Sequence, residues 1–305
     1  MPMIAALSAR PRYLAMVAAV AATILGLGYM AMAGAPLRML VINAAALLIG
    51  FALLALALAA VRHMRLATGA VSLALGSALM GVTLFGLVVE GASRWMAIAG
   101  FVIQPSLIIV PVLLAYCARA RDALSITGVM LAAVALALQP DRAMAGVVVM
   151  GLGVLALTRA DMKVLTSLVV AVAAFVAALL QPDALPAMPY VDQIIFTSFD
   201  VHMVAGLAVM AGLAWMLVPA IIGWIGDPAN GEAYLVFGAV WLTIIAAAVL
   251  GNYPTPLVGY GASAIIGYAL SLIALPASRG VAVIDGERAR DADPTQDGRL
   301  RLAVA

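Results

Sequence analysis

Along the chain, long apolar stretches alternate with short polar breaks, and the breaks hold nearly all of the charge. An apolar stretch of about 20 residues crosses the hydrocarbon core of a bilayer as a helix. On that measure the pattern predicts ten helical spans, at about 13–34, 37–60, 66–89, 101–118, 124–138, 143–157, 164–180, 200–225, 233–250 and 257–276. The fifth and sixth are short. The Gln139-Pro140-Asp141-Arg142 turn between them suits either an outer loop or the tip of a re-entrant hairpin, and both return the chain to the side it left. Past Pro276 the periodicity ends and charge accumulates, as in Asp285-Gly286-Glu287-Arg288. The expected organisation is therefore a transmembrane domain over 1–278 and a disordered cytoplasmic tail over 279–305. The fold class is all-α, a polytopic membrane helix bundle.

Composition closes off the other classes. Hydrophobic residues make up 66% of the 305 positions and charged residues 10%, where soluble domains carry about 25% charged residues. With a mean hydropathy of +1.17, the polar surface cannot cover a water-soluble globule. That excludes a soluble enzyme, a disordered chain and a nucleic-acid binder, and the net charge of +2 gives no reason to expect a polyanionic partner. The single cysteine, Cys117, permits neither an intramolecular disulfide nor a cysteine-built metal site. Arg10 and Arg12 precede the first apolar run as they would in a secretory signal. That run, Tyr13 to Gly34, is too long for a cleaved segment and suits a first span.

The loops set the expected orientation. If the N-terminus is inside, thirteen of the sixteen basic residues fall in inner segments, and only Arg38, Arg94 and Arg142 lie outside. The positive-inside rule then puts both termini in the cytoplasm. It also makes Gln181–Phe199, with three prolines and the acids Asp183 and Asp192, the longest outer loop.

Polar groups in or beside spans are costly and need a partner or a task. Glu90 and Arg94 flank an outer turn that ends in Trp95. Arg94 suits an interfacial anchor; with Arg142 and Arg38 it equally suits a guanidinium fork for a lipid pyrophosphate. Gln104-Pro105-Ser106 opens the fourth span, with Pro111 inside it. Asn252-Tyr253-Pro254-Thr255-Pro256, followed by Gly259-Tyr260-Gly261-Ala262-Ser263, implies irregular backbone at the entrance of the tenth. Such backbone survives at membrane depth only inside protein or beside a wet cavity. Gln104, Asp141 and the 254–263 segment should therefore converge. Asp192 and Asp200 stand eight residues apart, within about 80° on one helix face, and His202 follows. The trio suits acid/base work or solvation at the surface. Its spacing matches no standard zinc motif, so no metal or other cofactor is expected, although a divalent cation would be compatible.

Taken in chain order, these patches resemble the SEDS family (shape, elongation, division and sporulation), whose members include the FtsW and RodA proteins. The similar segments are Arg94-Trp95 with Gln104-Pro105-Ser106, Gln139-Pro140-Asp141, and Pro256-Leu257-Val258-Gly259-Tyr260-Gly261-Ala262-Ser263. The resemblance implies a bacterial inner-membrane protein of peptidoglycan synthesis that joins units of lipid II or a related undecaprenyl-linked substrate. It aligns Asp192 with the family's key aspartate, the implied general base. By the same alignment Asp200 falls on an acid that follows. Arg94, Gln104, Ser106, Asp141, Arg142, Asp200, Tyr260 and Ser263 become candidate substrate-binding residues. A single-span penicillin-binding protein and membrane lipids are the implied partners. The sequence departs from the family at Leu107 and Val110, where the family carries a glutamate and a lysine, and at Arg142-Ala143 and Val201. The outer loop before Asp192 is also short, at about twenty residues. A degenerate site, a non-catalytic scaffold for the penicillin-binding protein, and a flippase or carrier of lipid-linked substrate are the alternatives.

Overall fold

In the computed structural model the chain is described at residues 9–64, 67–89, 91–98, 100–182 and 185–278. The expected tail at 279–305 lies outside the described residues, as do Glu90 and Asp183. Among the described residues eleven α-helices run in chain order: α1 (Pro11–Met32), α2 (Leu37–Met64), α3 (Thr68–Phe85), α4 (Ser106–Arg119), α5 (Ala123–Leu138), α6 (Arg142–Thr158), α7 (Met162–Leu179), α8 (Ile194–Val201), α9 (Met203–Gly226), α10 (Gly231–Leu250) and α11 (Ala262–Ser271). Six stretches are long and apolar enough to cross a membrane, and α4, α5, α6 and α11 are shorter apolar helices. Leaving aside the eight-residue α8, these ten helices match the ten expected spans one for one. The chain is a polytopic membrane helix bundle.

At its centre α4 packs against α3, α5, α6, α10 and α11. Leu107, Val110, Leu113, Leu114 and Cys117 are all buried on it. Leu107 and Val110, where the family is charged, are thus filled by core side chains. Small residues allow the closest helix approaches, the usual means of packing helices in lipid. A β-carbon on Gly76 of α3 would lie 2.2 Å from the Gly128 carbonyl oxygen of α5, and one on Gly267 of α11 would lie 2.0 Å from that of Leu107.

Three regions differ from the hydropathy pattern. The pattern runs the third span to 89 and starts the fourth at 101. Instead α3 stops at Phe85, and an antiparallel three-stranded sheet fills the gap: β1 (Leu87–Val89), β2 (Ala92–Ile98) and β3 (Phe101–Ile103). Residues 87–103 are apolar enough to pass for helix, but Val88, Val89, Ile98, Val102 and Ile103 are β-branched and suit strands. Gly91 and Gly100, at φ 80° each, supply the left-handed turns between them. The end of the expected outer loop 181–199 is helical, as α8, and the eighth span begins as α9 after His202, which is extended and whose Nδ1 accepts the Val204 N–H at 3.1 Å. The tenth span begins, as α11, at Ala262 rather than 257, because Leu257 is left-handed (φ 61°) and the prolines and glycines around it cannot propagate a helix.

Polar groups collect at the two ends of the bundle. At one end Arg12 of α1 donates to the carbonyls of Leu272 (3.2 Å) and Leu275 (2.6 Å), so the start of α1 and the end of α11 lie side by side. At that end too, Arg121 pairs with Glu232 at 2.5 Å. The opposite end gathers the α5–α6 turn, the sheet, the 185–193 loop and the 251–261 segment.

Candidate functional site

Four residues from three distant parts of the sequence form one buried tie at this second end. Asp141 caps α6, its Oδ1 accepting the Met144 N–H at 3.2 Å. Its Oδ2 accepts from the Ser106 hydroxyl at 2.8 Å and from Gln104 Nε2 at 3.1 Å. The Gln104 backbone N–H donates to Ser263 Oγ at 2.9 Å. Gln104, Asp141 and the 254–263 segment therefore converge, as expected. Asp141 and Ser106 are fully buried, and Gln104 and Ser263 nearly so. Each of the four is bonded within the protein, so the tie braces this end of the bundle.

Arg94 braces the same region. It is buried on β2, with Nε donating to the Gln139 carbonyl at 3.4 Å and Nη2 to that of Pro140. Its guanidinium carbon lies 6.0 Å from the Trp95 ring centroid and 5.9 Å from that of Tyr253. Arg142 is half-buried and donates to the carbonyls of Ala178 and Gln181, closing the C-terminal end of α7. The expected outward guanidinium forks thus face the protein's own carbonyls. An arginine meets a helix end or a tight turn with the same donors that would otherwise grip a phosphate.

Asp192 sits in a second assembly. The 185–193 loop is laced to the 252–260 segment: the Thr255 N–H donates to the Val191 carbonyl (2.9 Å) and the Tyr260 N–H to that of Tyr190 (2.6 Å). Asp192 and Pro254 form an antiparallel bridge. Asn252 adds side-chain bonds to the Leu185 carbonyl (2.9 Å) and from Gln193 Nε2 (2.7 Å). The Asp192 carboxylate is half-buried and accepts the Met188 N–H at 2.9 Å. Burial pushes its carboxyl up from the ordinary aspartate value, and the Met188 hydrogen bond opposes that shift. Tyr190 (φ 63°) and Gln193 (φ 57°) flank it in left-handed conformations, as does Leu257 across the junction. Non-glycine residues held there cost energy and concentrate at functional sites.

Beneath this junction the 254–261 backbone runs inside protein. Val258 is fully buried, and a β-carbon on Gly26 of α1 would lie 2.5 Å from its Cα. Asn43 of α2 donates to the Gly259 carbonyl at 2.8 Å and accepts the Gly261 N–H at 3.1 Å. Asn43 was not among the residues singled out from sequence. Its signal was available: it is the one amide in an otherwise apolar run from Met39 to Val61. Tyr260, half-buried, packs on the hydrophobic core.

Asp200 and His202 do not join Asp192 on one helix face. Gln193 breaks the chain direction after Asp192, and Asp200 and His202 are exposed at the α8–α9 break. Among the described residues no three His, Cys, Asp or Glu side chains gather as a metal site.

By sequence, no family model and no curated protein matches this chain. By structure it is similar to the crystal structure of rod shape determining protein RodA from Thermus thermophilus. That similarity has a TM-score of 0.59 at 20% identity and covers 85% of this chain and 93% of that one. A mutant of the Thermus protein, with an aspartate changed to alanine, gives the same values. The chain therefore has a RodA-like fold, the fold type that the SEDS motifs implied.

Proposed function

We propose that this protein works in peptidoglycan synthesis in a bacterial inner membrane, in the manner of shape and division proteins, with Asp192 as general base. Lipid II or a related undecaprenyl-linked molecule is the donor. The observation that carries this reading is the Asp192 junction: a half-buried carboxylate, held between left-handed residues and seated on a braced segment, in a RodA-like fold. In the proposed step Asp192 takes the proton of an acceptor-sugar hydroxyl. The freed oxygen attacks the donor's anomeric carbon, the bond from that carbon to the diphosphate oxygen breaks, and the diphosphate leaves. A base works best with its pKa near the operating pH, and burial moves Asp192 in that direction. The basic asymmetry supports a periplasmic junction and cytoplasmic termini, with the 279–305 tail on the inner side.

A specific observation favours a second reading. Arg94 is buried and Arg142 half-buried, and both donate to backbone carbonyls of the protein itself, which leaves fewer of their donors for a leaving diphosphate. That suits a non-catalytic scaffold for a single-span penicillin-binding protein. The carrier reading draws no such support, because the buried charged side chains among the described residues, Arg94, Asp141 and Asp227, lie outside the middle of any helix.

The deciding experiment incubates purified protein with lipid II, with and without a candidate penicillin-binding protein inactivated as a polymerase. Glycan polymer from the wild type and none from Asp192→Ala is the expected result. Polymer that persists in Asp192→Ala would remove Asp192 as the base. A wild type that binds the partner yet makes no polymer would establish the scaffold reading.

A further inference from the structure

The end of the bundle opposite the Asp192 junction carries an open cleft of about 510 Å³. Four cations line it, Arg119, Arg121, Arg159 and Lys163, together with Asp161 and Met162. The acids beside it are already engaged. Arg121, nearly buried, pairs with Glu232 at 2.5 Å and with Asp161 at 3.7 Å and donates to the Arg159 carbonyl. Glu232 also accepts from the Thr158 hydroxyl at 2.8 Å, and Asp161 caps α7 through the Val164 N–H at 2.9 Å. Asp122, next in sequence to Arg121, caps α5 through Ser125.

Arg119, Arg159 and Lys163 remain. All three are exposed, and among the described residues none of their side chains has a hydrogen-bond or ion-pair partner. Helix electrostatics explains two of them, because Arg119 ends α4 and Arg159 caps the end of α6, where cations are favoured. It does not explain Lys163, the second residue of α7, where the helix dipole opposes a cation and favours an anion. Four cations and one acid, Asp161, line the cleft, so it is net positive.

The surroundings of the cleft select the kind of anion. Leu157 is 89% exposed and Met162 76%, and Met162, Leu165 and Val169 form one exposed apolar face of α7. A ligand seated among the cations would lie where that face begins. We propose that this cleft binds the phosphodiester headgroup of an anionic phospholipid, with an acyl chain along the Met162–Leu165–Val169 face. The site is independent of any chemistry at Asp192.

The test follows thermal unfolding of the detergent-solubilised protein against added short-chain phosphatidylglycerol, phosphatidylcholine of the same chains, and inorganic phosphate. Phosphatidylglycerol should stabilise the wild type saturably and at far lower concentration than the other two. Each basic residue near a membrane surface is worth about fivefold in affinity for an anionic lipid. The triple variant Arg119→Gln, Arg159→Gln, Lys163→Gln should therefore bind phosphatidylglycerol on the order of a hundredfold more weakly. Gly28→Ala, on α1 away from the cleft, should bind it unchanged. If the triple variant does not fold, Lys163→Gln alone decides the question, at about fivefold weaker binding. Equal stabilisation by the two lipids, or undiminished binding by the variants, would overturn the proposal. Phosphate matching phosphatidylglycerol would replace a lipid site with a free-anion site and overturn it equally.

Discussion

Asp192 costs the fold something to keep. Its carboxyl is pushed up by burial, so the folded state favours the protonated form. For such a group the associated stability is present below the unfolded-state pKa and is lost as pH rises through the folded-state value. The amide introduced by Asp192→Asn would mimic the neutral form and still offer an oxygen to the Met188 N–H. The variant should therefore melt no lower than the wild type at neutral pH, and the two should converge towards about pH 4, near the ordinary aspartate value. Melting curves across that pH range check this, and an Asp192→Asn protein markedly less stable at neutral pH would recast Asp192 as a structural residue. Activity should fall as acid protonates the carboxylate, the reverse of the stability trend. At this scale much of the chemistry was legible: Asp141, Gln104, Ser106 and Ser263 stood out as groups that needed partners, and they partner one another. What they do with those partners was not legible. A residue named as a ligand from its type can as well be a brace, since the same donors and acceptors serve both.

Among the elements, the irregular 254–261 segment depends on close approach by α1. Gly26 of that helix leaves no room for a β-carbon, because the obstacle is the Val258 backbone and not a side chain that can swing aside. Two positions on, Gly28 faces open space. Gly26→Ala should cost about 1–3 kcal/mol through overpacking. Gly28→Ala should be neutral or stabilise by up to about 1 kcal/mol, the helix-propensity difference. Unfolding of the two variants in mixed micelles makes the comparison, and equal effects would mean that α1 does not press on the segment. The sheet between α3 and α4 shows where element reading falls short. An apolar run has no period to distinguish strand from helix, and the β-branched residues and the glycines at 91 and 100 were the remaining signal.

For the whole molecule, the alternation of polar clusters between two ends fixes which loops share a side, and the basic asymmetry then predicts which side is which. Cys117 is buried and unique, so Cys117→Ala provides a clean background for labelling. Ala187 in the 185–193 loop and Ala229 in the α9–α10 connection are both exposed and belong to opposite ends. A membrane-impermeant maleimide added to intact cells should modify Ala187→Cys and spare Ala229→Cys. The reverse pattern would invert the bundle, moving Asp192 to the cytoplasm and the basic cleft to the periplasm.

Hydropathy alone determined that this chain is a membrane helix bundle, and nearly where each of its ten longer apolar helices lies. The reason is that lipid offers no hydrogen bonds, so every crossing segment must be apolar and satisfy its own backbone. The motifs also carried enough to indicate the fold type, because their residues are the polar groups that a bilayer forces to meet. Only the tertiary structure decided which partner each of those groups found. Arg94 turned inward to the Gln139 and Pro140 carbonyls, Asn43 of α2 became the support of Gly259 and Gly261, and the Asp192 loop was laced to Pro254. These pairings join residues up to 218 positions apart. They are set by helix packing, and no local pattern of residues encodes it.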